Sequence, residues 1–261
     1  MRLGLGLSLT GMPAGDSASY DAVTALGSDL FEGWEAWRAG TVTQVGGLVS
    51  AWAGIKTGAQ VTQGTGGLQP VFSANGFNGG PVLTFDGIDD YLALANPSFP
   101  PTGSTPCEIW ALVDSTAVAA ATATGVIGGY GAGTGSGPAT GRYVTRSVLN
   151  GVSRGGVSVG SSTATLSSVR DETVVFEGRH IVRAQIGAAQ TVLTIDGSSP
   201  TAPLEVVPGS VATMLRIGAH PTPAVPTNPF KGGIAAIYFT APLSAAKANA
   251  LRADLLQRKG S

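Results

Sequence analysis

Residues 82–94 set two short apolar runs on either side of an acidic, glycine-containing turn, and this arrangement constrains the chain more than any other stretch. Residues 82–85 (VLTF) read as a strand, and Pro81 ahead of them opens it without needing an amide donor. Asp86-Gly87 supplies left-handed backbone for a tight reversal, Asp89-Asp90 continues the loop, and residues 91–94 (YLAL) read as the return strand. The expected element is a hairpin. Similar punctuation recurs downstream: residues 107–113 (CEIWALV), 125–129, 142–149 (RYVTRSVL), 155–160 and 173–176 are short β-rich runs with turn residues between them. Strands at this spacing, with one clear helical pattern at the end, predict an all-β, two-sheet antiparallel sandwich.

The terminal helix carries its own start and stop signals. Ser244 is placed to cap the first amides, Leu243 to form a hydrophobic staple, and Ala248, Leu251 and Leu255 make an apolar stripe. Arg258 and Lys259 sit where the helix dipole favours cations, before Gly260. At the other end, Leu3, Leu5, Leu7 and Leu9 alternate with Gly4, Gly6 and Ser8, the period of a strand with one bare face. Residues 17–38 hold Tyr20, Val23, Leu26, Leu30, Phe31, Trp34 and Trp37, mostly three or four apart. That suits a helical face, although Gly27 and Gly33 each weaken a helix by about 1 kcal/mol relative to Ala. The alternative is an extended arm whose aromatics plug the sandwich. Residues 60–72 alternate polar and apolar residues, as a half-exposed strand does. The expected division is an added arm, residues 1–40, and one sandwich domain, residues 41–261, a size that a single β domain commonly reaches.

The phrase PVLTFDGIDDYLAL (residues 81–94) resembles the signature hairpin of the concanavalin A-like, laminin G-like jelly rolls, in which an FDG-x-DDYL string recurs. Residues 180–204 resemble that family's strand, spacer and Asp-Gly turn, and residues 214–256 its closing strands and terminal helix. LVSAWAG (residues 48–54) resembles another of its strands, with Trp52 in the core and Gly54 where an aspartate is usual, so no charge is expected there. The resemblance spans residues 48–260 and implies a concanavalin A-like jelly roll with an N-terminal extension and a C-terminal helix. It says little about function.

Charge excludes some roles. Fifteen basic residues are spread against 16 acidic ones with no basic run longer than Arg258-Lys259, so nucleic acid is not an expected partner. No apolar stretch reaches the ~18 residues of a membrane-spanning helix, and no membrane insertion is expected. Met1-Arg2 followed by LGLGLSLTG has the outline of an export signal, but glycines and a serine interrupt its apolar run, so none is expected. The single cysteine, Cys107, excludes an intramolecular disulfide and reads as a small buried hydrophobe. Only 12% of residues are charged while 39 are glycine, against a usual ~25% and ~7%. Partners covering part of the surface would account for this, as would compositional bias of the genome.

The chemistry in the sequence is sparse. Glycoside hydrolysis needs two facing carboxyls, and hydrolases on this fold place them as an E-x-D-x-x-E cluster on one strand. Here Glu108, Asp171, Glu172, Glu177 and Glu205 are scattered, so no catalytic residues and no enzyme are expected. His180 reads as a satisfied strand histidine, and His220, in a turn, as a candidate pocket residue without a visible partner. No cofactor or metal is expected, although the resemblance allows a structural Ca2+ among Asp86, Asp89, Asp90 and Asp196. For glycan binding the candidates are Tyr130, Arg142, Tyr143 and Arg146, which flank the glycine-rich residues 130–141. The competing reading puts Tyr143 in the core and both arginines in solvent.

Low charge, a Gly/Ala/Thr-rich surface and an added arm look like bacteriophage tail-fibre, spike or head-decoration proteins. The first expectation is therefore a non-enzymatic structural or attachment protein of a virion, assembled in the host cytoplasm. Its arm would meet other virion proteins or form a homo-oligomer, a trimer, and its sandwich would meet host surface glycan. The alternative is a secreted, extracellular lectin-like or adhesion module; a glycan-degrading enzyme comes third.

Overall fold

The computed structural model describes residues 22–99, 101–116, 124–132, 140–160, 166–198, 201–205, 209, 213–221 and 227–260. In chain order the strands begin with β1 (Leu30–Glu35), β2 (Val42–Val45), β3 (Leu48–Ala53), β4 (Gln60–Thr62), β5 (Val71–Phe77), β6 (Gly80–Asp86), β7 (Leu92–Ala95) and β8 (Cys107–Ser115). They continue with β9 (Thr124–Ala132), β10 (Thr140–Leu149), β11 (Val152–Gly160), β12 (Leu166–Arg170), β13 (Gly178–Ile186), β14 (Gln190–Ile195), β15 (Leu204–Glu205), β16 (Met214–Ile217) and β17 (Lys231–Thr240), and close with helix α1 (Ala245–Lys259).

Pairing sorts these strands into two antiparallel layers. The first sheet runs β15-β14-β13-β8-β17; the far edge of β17 is shared by β6, followed by β5, and by β1. The second runs β2-β3-β4-β7-β16-β9-β10-β11-β12. One pair, Leu48 with Val71, joins the layers at an edge. The all-β jelly-roll expectation holds.

Apolar residues on the two inner faces meet in one core: Ile109, Ala111 and Val113 from β8 against Ile127, Val144, Val157 and Leu215. A second cluster lies on the far side of the first sheet, where Trp110, Leu112, Ile181 and Tyr238 receive Ala248, Leu251 and Leu255 of α1. The helix starts and stops as its sequence requires. Ser244 accepts a hydrogen bond from Lys247 N, and Gly260, at φ 71°, donates to Leu256 O.

The acidic turn is not a hairpin. β6 pairs within the first sheet and β7 within the second, so residues 86–90 carry the chain across the sandwich. Asp86 Oδ1 accepts from Ile88 N and Asp89 N, and Asp90 Oδ2 accepts from Asp86 N. These bonds hold a wide loop, and Phe85 and Leu92 at its two ends enter the core from opposite layers. The tight hairpin lies one turn earlier, at Asn78 (φ 49°) and Gly79 (φ 77°), which join β5 to β6.

Other elements also differ from expectation. Within residues 17–38, residues 22–24 are helical but Leu30–Glu35 is strand β1, paired with β17. Gly27 turns the chain at φ 58°, and Gly33 gives Tyr238 the space in which a Cβ would lie 2.6 Å from its ring. Trp34 then enters the core, where it packs with Phe99 and Phe239 and donates from Nε1 to Trp52 O, tying the two layers together. Residues 60–72 split into β4, a short 3-10 turn and the start of β5, and residues 173–176 are not a strand. Gly54 does leave a gap, but Glu32 of β1 fills it: its carboxylate accepts from Gly33 N, Lys56 N and Thr57 N, so a charge occupies that corner after all.

Candidate functional site

The two layers have different outer faces. α1 covers that of the first sheet, whereas the second presents a lateral row in register across eight strands: Ala51, Thr62, Ala93, Arg216, Gly129, Tyr143, Ser158 and Ser168. Each alternates with core residues such as Trp52, Val61, Leu92, Leu215, Val144, Val157 and Val169, so the row points outward. Six of its eight members are Gly, Ala, Ser or Thr. Only Arg216 and Tyr143 stand above this floor, with Gly129 between them.

That pair anchors a small cluster. The Arg216 guanidinium lies 4.6 Å over the Tyr91 ring, and its Nη1 donates to His220 O at 3.2 Å. The His220 ring meets Tyr143 edge-on, with 4.7 Å between centroids. Arg216, Tyr143 and His220 are buried, while Thr62 and Ser168 toward the two sides of the row are exposed. Burial, assisted by Arg216, lowers the His220 imidazole to about 4, so it is neutral at physiological pH. The Tyr143 hydroxyl and His220 Nδ1 are buried without a hydrogen-bond partner. Buried polar atoms of that kind call for a water or a ligand.

Of the four residues predicted from sequence, the structure places Tyr143 in this cluster and turns the other three inward. Strand alternation is the reason: Arg142 and Arg146 share a face with Val144, which is in the core. Arg142 donates to Thr105 O at 2.6 Å, to Gly103 O at 2.5 Å and to Cys107 Sγ at 3.0 Å. Arg146 donates to Thr116 O, and Tyr130 donates to Pro101 O beneath Phe239. None of the four is an exposed platform, since all are at most 2% exposed. Sequence reasoning missed Arg216 and Tyr91, which lie far from each other in the chain and share no motif.

Other candidates resolve into structural roles. His180 is satisfied by Asp196 Oδ2 at 2.8 Å and Glu177 O at 3.1 Å and stacks on Phe176. Burial raises the Asp196 carboxyl, but bonds from His180, Lys259 and Ile181 N outweigh it and bring it to about 2. Carboxylate oxygens of Asp86, Asp89 and Asp90 lie within 4.8 Å of one another. A hard cation wants six to eight oxygens, and oxygens of Asp86 and Asp90 already accept from turn amides. Two cavities flank α1: one of about 280 Å³ beside Trp110, Arg183 and Arg252, and one of about 320 Å³ beside Trp37, Phe77 and Asp254.

No protein-family model and no curated protein matches this chain. Solved structures do. An arabinofuranosidase complexed with arabinofuranosyl-alpha-1,2-xylobiose is similar over 92% of this chain and 65% of its own, with a TM-score of 0.66 and 11% identity. The botulinum neurotoxin serotype G binding domain matches over 87% of this chain and 51% of its own (TM-score 0.52, 9% identity), and a Trypanosoma rangeli sialidase in complex with sialic acid over 85% and 32% (0.53, 12%). The chain thus spans less than two thirds of each. At such identities the likeness establishes the fold alone, a β-sandwich. It also corrects the expectation that the chain is no enzyme, because an arabinofuranosidase and a sialidase share this fold. Nothing among these structures comes from a virus particle.

Proposed function

We propose that this chain is a carbohydrate-binding β-sandwich whose outer face on the second sheet receives a glycan. The observation that carries the reading is the row across that face. Thr62 and Ser168 offer exposed hydroxyls toward its two sides, small side chains fill the row between them, and at its centre the half-buried Tyr91 ring lies against the buried Arg216, Tyr143 and His220. Sugar recognition asks for this mixture of aromatic surface and few, well-placed polar atoms. Support also comes from similar structures solved with arabinofuranosyl-xylobiose or sialic acid bound. They favour the lectin-like reading over attachment to a bacteriophage particle, which keeps only the compositional argument.

A glycan array probed with the purified chain tests this. Ser168→Trp and Thr62→Trp, at exposed positions of the row, should each lower the signal, whereas Asn249→Trp on the exposed side of α1 should not. An array signal indifferent to all three would remove the face from consideration. Cleavage of the bound glycan is the second reading, favoured by one residue. Burial, with Asp86 and Asp89 adding to it against the bond from Asp86 N, raises the Asp90 carboxyl to about 6, the condition of a general acid beside Tyr91. Reducing-sugar release that disappears in Asp90→Asn is the outcome expected of that reading.

A further inference from the structure

Helix α1 leaves one flank of the first sheet open. Tyr238, Trp110, Arg183 and Thr194 stand in register across β17, β8, β13 and β14, and alternate with core residues such as Phe239, Ile109, Ala184 and Leu193. They therefore point away from the sandwich core. α1 packs on the first two through Ala248, Leu251 and Leu255. Beyond it, the step between the helix flank and the sheet is the cavity of about 280 Å³, lined by Trp110, Ile181, Arg183, Thr194, Asn249 and Arg252. The rim of this cleft is open: Asn249 and Gly197 are exposed, and Arg183, Thr194, Gln185 and Arg252 are half-buried.

The two guanidiniums of the cleft differ in what they already hold. Arg183 gives Nε and Nη2 to the Glu108 carboxylate at 3.0 and 2.8 Å, and Glu108 also accepts from Trp110 Nε1 and Leu243 N, so that acid is saturated. Arg252 has no carboxylate partner among the described residues. Its Nη2 donates to Asp196 O at 2.6 Å, and its Nε is buried without an acceptor. The group is held in place, because it lies on the turn at Gly197 (φ 79°), where any Cβ would run into the guanidinium. The acids around the cleft are answered elsewhere. Asp196 takes His180, Ile181 N and Lys259, and Asp254 takes Arg258 beside the other cavity. Glu205 pairs with Gln190, four residues along β14 from Thr194, about 13 Å away. The charge of Arg252 is thus left over, next to a donor-rich wall of Thr194, Gln185 and Asn249.

We propose that this cleft binds a small hydroxylated carboxylate, a sugar acid or sugar-like hydroxy acid taken as a single unit. A guanidinium with unused N–H groups matches a carboxylate with directed donors, and a buried donor without an acceptor calls for one. One left-over charge is balanced by a monoanion, whereas a phosphate ester, carrying about two charges, would stay half unanswered. Ligand pockets run from roughly 300 to 1,000 Å³, so about 280 Å³ holds one unit and not a chain. Trp110, Ile181 and Ala248 give the ligand an apolar floor, and Thr194, Gln185 and Asn249 are placed for its hydroxyls. The cleft lies on the opposite layer from the glycan face proposed above and does not depend on it.

Calorimetry on the whole chain decides the matter, with gluconate, glucuronate and N-acetylneuraminate each set against its methyl ester, and with glucose 6-phosphate as the phosphate probe. At least one acid should bind about tenfold or more tightly than its ester and more tightly than glucose 6-phosphate. Arg252→Gln should weaken that acid about tenfold, and Thr194→Trp, which fills the cleft from the sheet side, should abolish its binding. Asn249→Trp, at the rim, should weaken the free acid yet leave the glycan array unchanged, and Ser168→Trp should do the reverse, so the two sites fail separately. Acid and ester bound alike, no acid bound, or an acid bound indifferently to Arg252→Gln and Thr194→Trp each overturn the proposal. Glucose 6-phosphate bound more tightly than every acid overturns it in favour of a phosphate site.

Discussion

The two layers of this sandwich use charge in opposite ways. In the first sheet each buried acid is spent internally: Glu108 accepts from both Arg183 and the Trp110 indole as well as Leu243 N, and Glu35 accepts from Tyr238 and Arg38. Burial raises the Glu35 carboxyl, against the pull of Arg38 and the Tyr238 bond. In the second sheet the outward cations have aromatic rings, backbone carbonyls and loosely held acids for company. A layer closed over by a helix must satisfy its charges within the fold, because a lone buried charge is costly.

The difference can be broken or sharpened by substitution. Trp34 bridges both layers, and Trp34→Ala should cost about 3–5 kcal/mol, read as a lower denaturation midpoint with an unchanged slope. A Trp34→Ala chain as stable as the parent would mean that β1 is dispensable to the sandwich. Glu108→Ala should cost about 3 kcal/mol by leaving the guanidinium and indole donors of the first sheet unanswered, with glycan affinity per folded molecule unchanged. Loss of affinity in that variant would show that the layers are not functionally separate. Tyr143→Phe removes a buried hydroxyl without a partner; the free chain should gain about 1 kcal/mol while glycan binding weakens. A loss of stability instead would show that the hydroxyl has a partner in the free protein.

Acid titration separates the layers most finely. His220 lies below its ordinary 6.5, so the unfolded chain binds the extra proton and stability should fall as pH drops from 6.5 to about 4; His220→Phe should flatten that window. Asp196, on the first sheet, is held down to about 2, and its contribution should survive until pH falls below 3.8. Asp90 works in the other direction. Its raised carboxyl makes stability decline as pH climbs from 3.8 to about 6, a slope that Asp90→Asn should remove. Denaturation midpoints measured from pH 3 to 7 on the three chains test all of these signs.

Much of the architecture was legible because strand and cap signals are local. Residues 107–113 became the centre of β8, and Ser244, Leu251, Leu255 and Gly260 did what their spacing implied. Asp86-Gly87 was read correctly as a turn and wrongly as a hairpin, since turn residues specify a reversal but not which sheet receives the returning strand. Tyr143 takes the outer face while Arg142 and Arg146 turn inward, an assignment the sequence could not make because nothing local tells which face of a strand meets the core when both faces carry polar residues. The corner at Gly54 was read as uncharged because its carboxylate comes from Glu32, 22 residues earlier.

The order of residues by itself determined that this chain makes short strands, where most of them lie, and that one capped helix closes it; these follow from backbone preferences and periodicity within a few residues. Only the tertiary structure decided that Tyr91, Arg216, Tyr143 and His220 share one place. That depends on register between strands far apart in the chain, which packing of the two inner faces selects and no local pattern encodes.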